Sequence, residues 1–275
     1  METKKYISPG GWFSLEYPSR WNEFEDEKCS FLFYDPETWS GNFRISAFKD
    51  SSADFAEQCM VDELKSNSLS SSVKIKDKKC VYSCERFTEK GESYDSHFWV
   101  TGSGDVSIEC SFTVKAGESK EAAESIIASL VLRPDNKRLP MEVIPIRILE
   151  INMVNEAYDW AVSVIKEKLK KDFTSSRQDI VSLQKMIDDG HFESDQKDCW
   201  SSFGIAFGTI LVNEMDGMDW VTVVDGMKEY PALRFNDTSV MVYPTELIWE
   251  KIHQGIKCDL MREFEDIYHQ VEEVL

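Results

Sequence analysis

Apolar and polar positions along this chain follow two different periods, and the changes between them mark out its elements. From Trp12 to Tyr17 apolar and polar side chains alternate as on a half-buried strand, until Pro18 stops the run. Strands are also predicted at 29–34 and 43–48. The residues between them, Asp35 to Asn42, are mostly turn formers and make the pair a hairpin with a long tip. The period becomes helical over 54–67, where Ala56, Met60 and Leu64 fall four apart, and the serines of 66–72 end it. Four strands are predicted next, at 73–76, 80–87, 94–101 and 106–114, with connections short enough for an antiparallel meander. Ala123, Ile126, Ile127 and Leu130 then form one apolar stripe, so a helix there can cover a sheet face.

The pattern breaks between Arg133 and Pro145. Pro134, Pro140 and Pro145 remove backbone donors and push the residues before them out of the helical region, so no regular element is predicted to run through. This predicts a domain over 1–134, a linker over 135–145 and a second domain over 146–275, and 275 residues suit two domains.

Beyond the break the period is mainly helical. A helix is predicted over 151–173, with Tyr158, Val162, Ile165 and Leu169 on one stripe and lysines near its end, where cations suit the helix dipole. Ser175 and Gln178 have capping-box spacing for a second helix, which Gly190 would end. A third, over 195–214, is apolar on most sides and is expected at the centre of this half. Its Gly204 and Gly208 lie four apart, which predicts close approach of another element inside the domain. Strands follow at 220–224, 233–235 and 239–243, then a helix opened by Pro244 and a last one carrying Leu260, Phe264, Ile267 and Val271. The predicted fold class is α+β throughout: an antiparallel sheet flanked by helices, then a helix-rich domain with a small antiparallel sheet.

The opening Phe13-Ser14-Leu15-Glu16-Tyr17-Pro18-Ser19-Arg20-Trp21, the order of elements behind it and the closing Ile126-Ile127-Ala128-Ser129-Leu130 resemble the Mog1/PsbP-like fold over about residues 6 to 133. That resemblance implies an antiparallel sheet sandwiched by helices and, for most members, a non-enzymatic binding role; no catalytic or partner-site residue carries over. The whole architecture is similar to a two-domain family of unknown function from the Bacteroides group.

Charge narrows the partners. The net charge is −19, with 16 Lys and Arg against 23 Asp and Glu up to residue 134 and 15 against 27 beyond it. An acidic surface repels phosphate backbones and anionic lipid, so nucleic acid and membrane are not expected partners, and a protein partner of unknown identity is. There is no apolar run of membrane-spanning length and no signal-peptide pattern, so the protein is expected in the cytoplasm. The seven cysteines, Cys29, Cys59, Cys80, Cys84, Cys110, Cys199 and Cys258, are odd in number and mostly sit in apolar patterns, which predicts reduced core thiols.

No catalytic, cofactor-binding or metal-binding constellation is recognisable. His97, His191, His253 and His269 lack a local partner pattern, Cys80 and Cys84 lie on one strand face too far apart for a tight chelate, and no second Cys or His pair stands at zinc spacing. Asp216-Gly217-Met218-Asp219 and Asp188-Asp189 lack the ligand alternation of a calcium loop, and the cluster Glu23, Glu25, Asp26, Glu27 reads as a solvated loop. Gly102-Ser103-Gly104 lacks the helix and lysine of a phosphate loop. The one candidate contact residue is Trp39, an indole in a polar hairpin tip where partial exposure is expected.

These observations predict a non-enzymatic protein-binding or chaperone-like module with no cofactor and an undetermined oligomeric state. One alternative is an immunity-type or adaptor protein whose acidic surface neutralises a basic toxin or effector. The other is an enzyme with an unrecognised site, which requires a deep pocket holding a His or Cys with a carboxylate in reach.

Overall fold

The fold was obtained as a computed structural model, and residues 2–27, 30–133, 140–226 and 228–275 are described. The chain divides into two compact units, Met1–Leu139 and Pro140–Leu275.

Among the described residues unit 1 carries ten strands and two helices. In order they are β1 (Thr3–Ile7), β2 (Phe13–Pro18), β3 (Asn22–Glu27), β4 (Ser30–Tyr34), β5 (Asn42–Lys49), α1 (Phe55–Ser66), β6 (Ser71–Ile75), β7 (Lys78–Glu89), β8 (Glu92–Ser103), β9 (Val106–Lys115), α2 (Glu121–Ser129) and β10 (Val131–Leu132). Seven strands form an antiparallel sheet in the order β3-β4-β5-β9-β8-β7-β6, so β5 lies beside the last strand of the predicted meander. A second, three-stranded sheet, β1-β2-β10, holds the opening strand apart from it. Side chains alternate across a strand, so every second residue of the large sheet faces one core. On that face Phe33, Phe43, Ile45, Trp99, Cys110 and Phe112 meet Phe13 and Leu15 of β2 and Ala123, Ile126 and Ile127 of α2. Trp21, just after the Tyr-Pro of β2, is buried and stacks on Phe112 with ring centroids 6.3 Å apart. On the other face α1 packs against β8, β9 and β7.

Unit 2 contains β11 (Glu142–Pro145), α3 (Ile148–Leu169), α4 (Ile180–Asp188), α5 (Lys197–Glu214), β12 (Met218–Asp225), β13 (Lys228–Phe235), β14 (Met241–Val242), α6 (Pro244–His253) and α7 (Leu260–Glu272). The four strands make one antiparallel sheet in the order β11-β12-β13-β14. As its pattern predicts, α5 is buried on most sides, through Trp200, Phe203, Ile205, Phe207, Ile210 and Leu211. Its two glycines admit α6. A Cβ on Gly204 would lie 1.8 Å from the Pro244 carbonyl oxygen, and one on Gly208 would lie 2.9 Å from the Pro244 ring and 3.0 Å from Trp220.

A buried ion cluster ties α3 to the sheet. The Arg147 guanidinium donates to Glu150 through Nε at 2.9 Å and through Nη2, and to Glu229 at 2.9 Å, while Thr222 Oγ1 donates to Glu150 at 3.1 Å. Burial opposes the charged guanidinium, yet the hydrogen bonds and charges of Glu150 and Glu229 outweigh it and raise the Arg147 pKa.

Several boundaries depart from the sequence reading. Residues 134–139 and Cys29 lie outside the described residues, but 142–145, assigned to a linker, form β11 and pair with Val221–Val224. Pro145 can end that strand because proline is tolerated where no ladder donor is needed. The acidic stretch from Asn22 to Glu27 is the edge strand β3, not a loop, and β1 was not anticipated at all. Helix α3 stops at Leu169 because Lys170 adopts a left-handed conformation (φ 54°), which releases Phe173 into the core instead of continuing the helix. The capping box falls one residue later than expected, on Ser176 and Asp179. The Asp179 carboxylate accepts from the backbone of Thr174 and Ser176 and from both hydroxyls, a set that Gln178 does not complete.

Candidate interaction surface

The hairpin tip between β4 and β5 is fixed from inside. Asp35 is buried and accepts from the backbone N–H groups of Glu37 and Thr38, each at 3.0 Å, and these bonds hold its pKa below the ordinary carboxylate value. At the other end of the tip Gly41 has φ +114°, and a Cβ there would lie 2.3 Å from the Phe112 ring, so only glycine lets the chain return at this point.

Trp39 sits between these two anchors. It is 38% exposed, and its indole Nε1–H donates to Asn42 Oδ1 at 2.7 Å. The ring meets Tyr94 edge-on, with centroids 6.0 Å apart and planes at 80°. Tyr94 in turn stacks on Phe87, its directly opposite neighbour on β7, at 5.5 Å and 24°. Phe87 is 37% exposed. Three aromatic rings from three different segments therefore form one partly exposed row at an end of the large sheet. Charged groups border it: Tyr94 donates to Glu92 at 3.0 Å, Lys115 lies 3.4 Å from the same carboxylate, and Lys115 stands opposite Tyr94 on β9. The bond to Glu92 raises the Tyr94 pKa and lowers that of Glu92. Large aromatics with a polar rim have the anatomy of a binding hot spot. The sequence pointed to Trp39 alone; Tyr94 and Phe87 join it through the strand register.

The histidines lie elsewhere. His97 is buried on β8 opposite Cys84, with its Nδ1 2.8 Å from the Tyr82 hydroxyl. Burial, helped by Lys120, lowers the His97 pKa, and burial together with Cys84 pushes the Tyr82 phenol up to about 12. This is a partner that sequence spacing did not show, because it arises across strands. Nearby Asp95 takes two hydrogen bonds from Arg86, at 2.6 and 2.9 Å, and one from the Gly117 N–H, which hold its pKa down at about 2. His191 lies 3.6 Å from Asp189, His253 stacks on Trp249, and His269 lies 3.1 Å from Glu272. A cleft of about 980 Å³ in unit 1 is lined by residues such as Glu16, Asp54, Lys76, Lys78 and Ser129, with neither His nor Cys among its walls as far as the described residues go. Among the described residues no group of three or more His, Cys, Asp or Glu side chains is placed to hold a metal, and Cys59, Cys80, Cys84, Cys110, Cys199 and Cys258 are free thiols. No helix among the described residues is long and apolar enough to cross a membrane.

Residues 1–155 match the model of a family described as Domain of unknown function (DUF3805). The chain belongs to that family. The match runs through the proline-bearing segment into α3, and residues 179–264 match a second model, Domain of unknown function (DUF3806). A crystal structure from Bacteroides thetaiotaomicron VPI-5482 is 45% identical with a TM-score of 0.92, covering 97% of this chain and 98% of that one, so the two-domain fold is shared end to end. Two distant neighbours span about half of the chain. LpqN, involved in cell envelope biogenesis of Mycobacterium tuberculosis, is 11% identical with a TM-score of 0.33, covering 49% of this chain and 93% of its own. Cyanobacterial PsbP (CyanoP) from Synechocystis sp. PCC 6803 is 13% identical with a TM-score of 0.24, covering 48% and 92%. A search of curated proteins finds no match.

Proposed function

We propose that this protein is a non-enzymatic, cytoplasmic binding or chaperone-like module whose contact surface for another protein is the row Phe87, Tyr94 and Trp39. The observation that carries the reading is the row itself. In a chain with 29% charged residues, three aromatic rings in mutual contact stand partly open to solvent with charges only at their border. Leaving such surface hydrated costs free energy that a complementary partner recovers, and central aromatics of this kind contribute about 2 kcal/mol or more each to binding.

The test is affinity capture from the native cell with the wild-type chain and with Trp39→Ala, followed by direct affinity measurement on what is recovered. A partner should be captured by the wild type, and Trp39→Ala should weaken it by about 30-fold, the equivalent of about 2 kcal/mol. Unchanged recovery of every captured protein by Trp39→Ala and by Phe87→Ala would remove the proposal.

A further inference from the structure

The row ends on β7, and β7 is only half paired. On one side it pairs with β8 from Val81–Val100 to Glu89–Glu92; on the other, β6 reaches only as far as the pair Ser71–Tyr82. From Ser83 to Glu89 the outer backbone edge therefore has no strand beside it among the described residues. Such an edge presents N–H and C=O groups in a fixed register, which another extended chain can satisfy. Beside this edge lies a notch of about 260 Å³, whose walls include Glu63, Asn67, Leu69, Ser83, Glu85 and Phe98. Leu69 is 60% exposed. The Glu63 carboxylate is held in place by Asn67 at 2.8 Å and Ser70 at 2.7 Å, and among the described residues no Lys or Arg lines the notch. Ser83, Glu85 and Phe87 alternate along β7, so all three lie on the sheet face that carries the aromatic row.

We infer that the free edge of β7 receives an extended segment of the partner protein as an added strand, with a Lys or Arg in the Glu63/Glu85 notch and an apolar side chain on Phe87. This rests on the protein-binding reading above and specifies the partner's chemistry: strand-forming, basic where it meets the two carboxylates, with the basic and apolar residues an even number of positions apart. The carboxylates select for the cation, and the backbone edge selects for extended conformation.

The probe is the capped peptide Thr-Val-Lys-Val-Phe-Val-Thr, compared with the same peptide N-methylated at alternate backbone positions and with Lys replaced by Glu. At roughly 1 mM peptide, amide hydrogen exchange of the full-length protein within 83–89 should slow by about tenfold or more. The N-methylated and Glu peptides should leave it unchanged, and Glu63→Gln with Glu85→Gln should weaken the parent peptide several-fold. Absence of protection, equal protection by the N-methylated or Glu peptide, or protection caused by self-association without peptide would each overturn the inference. The Trp39→Ala capture experiment is read independently: a Trp39-dependent partner whose complex leaves 83–89 unprotected would keep the aromatic row and remove strand addition.

Discussion

Gly204→Ala is the most quantitative perturbation that the packing of unit 2 allows. An added Cβ would stand 1.8 Å from the Pro244 carbonyl oxygen and 2.8 Å from its carbon, both backbone atoms that no rotamer change can move. Restoring ordinary contact requires α6 to retreat by about 1.5 Å at its first turn, which costs roughly 1–3 kcal/mol as overpacking of a close-packed interior. The same retreat strains the Ser201 Oγ–H bond to the Thr245 carbonyl, 2.8 Å in the native fold and worth about 1 kcal/mol. Against this, alanine is favoured over glycine in a helix interior by about 1 kcal/mol. The balance is a destabilisation of about 1–3 kcal/mol. Gly208→Ala meets the Pro244 ring at 2.9 and 3.1 Å and the Trp220 ring at 3.0 Å; neither ring can swing away, but no backbone atom is struck, so it should destabilise less than Gly204→Ala. Urea unfolding of the full-length variants, with exchange protection followed in α5 peptides, measures both. A lower midpoint at constant slope for Gly204→Ala and a smaller decrease for Gly208→Ala are expected. Stabilisation of both variants by the helix-propensity increment would refute the claim that these glycines exist to admit α6.

Three further outcomes follow from the same structure. Glu150→Ala should destabilise unit 2 by about 3–5 kcal/mol in chemical unfolding, because it leaves the buried Arg147 without its principal partner, and a change below ~1 kcal/mol would contradict the buried-pair account. The Asp95 pKa is depressed to about 2, so the stability it contributes is complete above the unfolded value near 4 and is lost as pH falls through about 2. Acid titration of stability for the wild type and Asp95→Asn should therefore differ in slope between roughly pH 4 and 2 and run parallel above it. Gly41→Ala should disturb the Trp39 tip, because the new methyl would collide with Phe112 and the residue would be strained at φ +114°; a reduced melting temperature together with altered Trp39 ring contacts by NMR is the expected signature.

What the sequence disclosed followed its local periods. The helices α1, α2 and α7 were legible because apolar positions repeat at helical spacing within one element, α5 because it is apolar on most sides, and the glycine spacing in α5 announced a close neighbour without naming Pro244. The strand β3 was not legible, since Asn-Glu-Phe-Glu-Asp-Glu carries a single apolar residue and owes its conformation to pairing with β4 at the sheet edge. The full extent of β13 was not legible either: the strand was expected only at 233–235, whereas residues 228–232, Pro231 included, owe their conformation to pairing with β12, where Thr222 stands opposite Pro231. For the candidate surface, Trp39 stood out as a large aromatic among turn residues. Tyr94 and Phe87 looked like ordinary strand residues, and only the register between β7 and β8, together with the return of the tip over β8, puts the three side by side. The same holds for His97 and Cys84, which are thirteen positions apart in the chain and directly opposite in the sheet.

We propose the aromatic row as a binding surface and not a structural ornament of the hairpin. A double variant, Trp39→Ala with Phe87→Ala, separates the two when partner affinity and unfolding midpoint are determined on the same preparation. A loss of captured-partner affinity of about two orders of magnitude or more, with the unfolding midpoint nearly unchanged, is expected. Full partner affinity in a folded double variant, or a collapse of the midpoint with affinity lost only in proportion to unfolding, would contradict it.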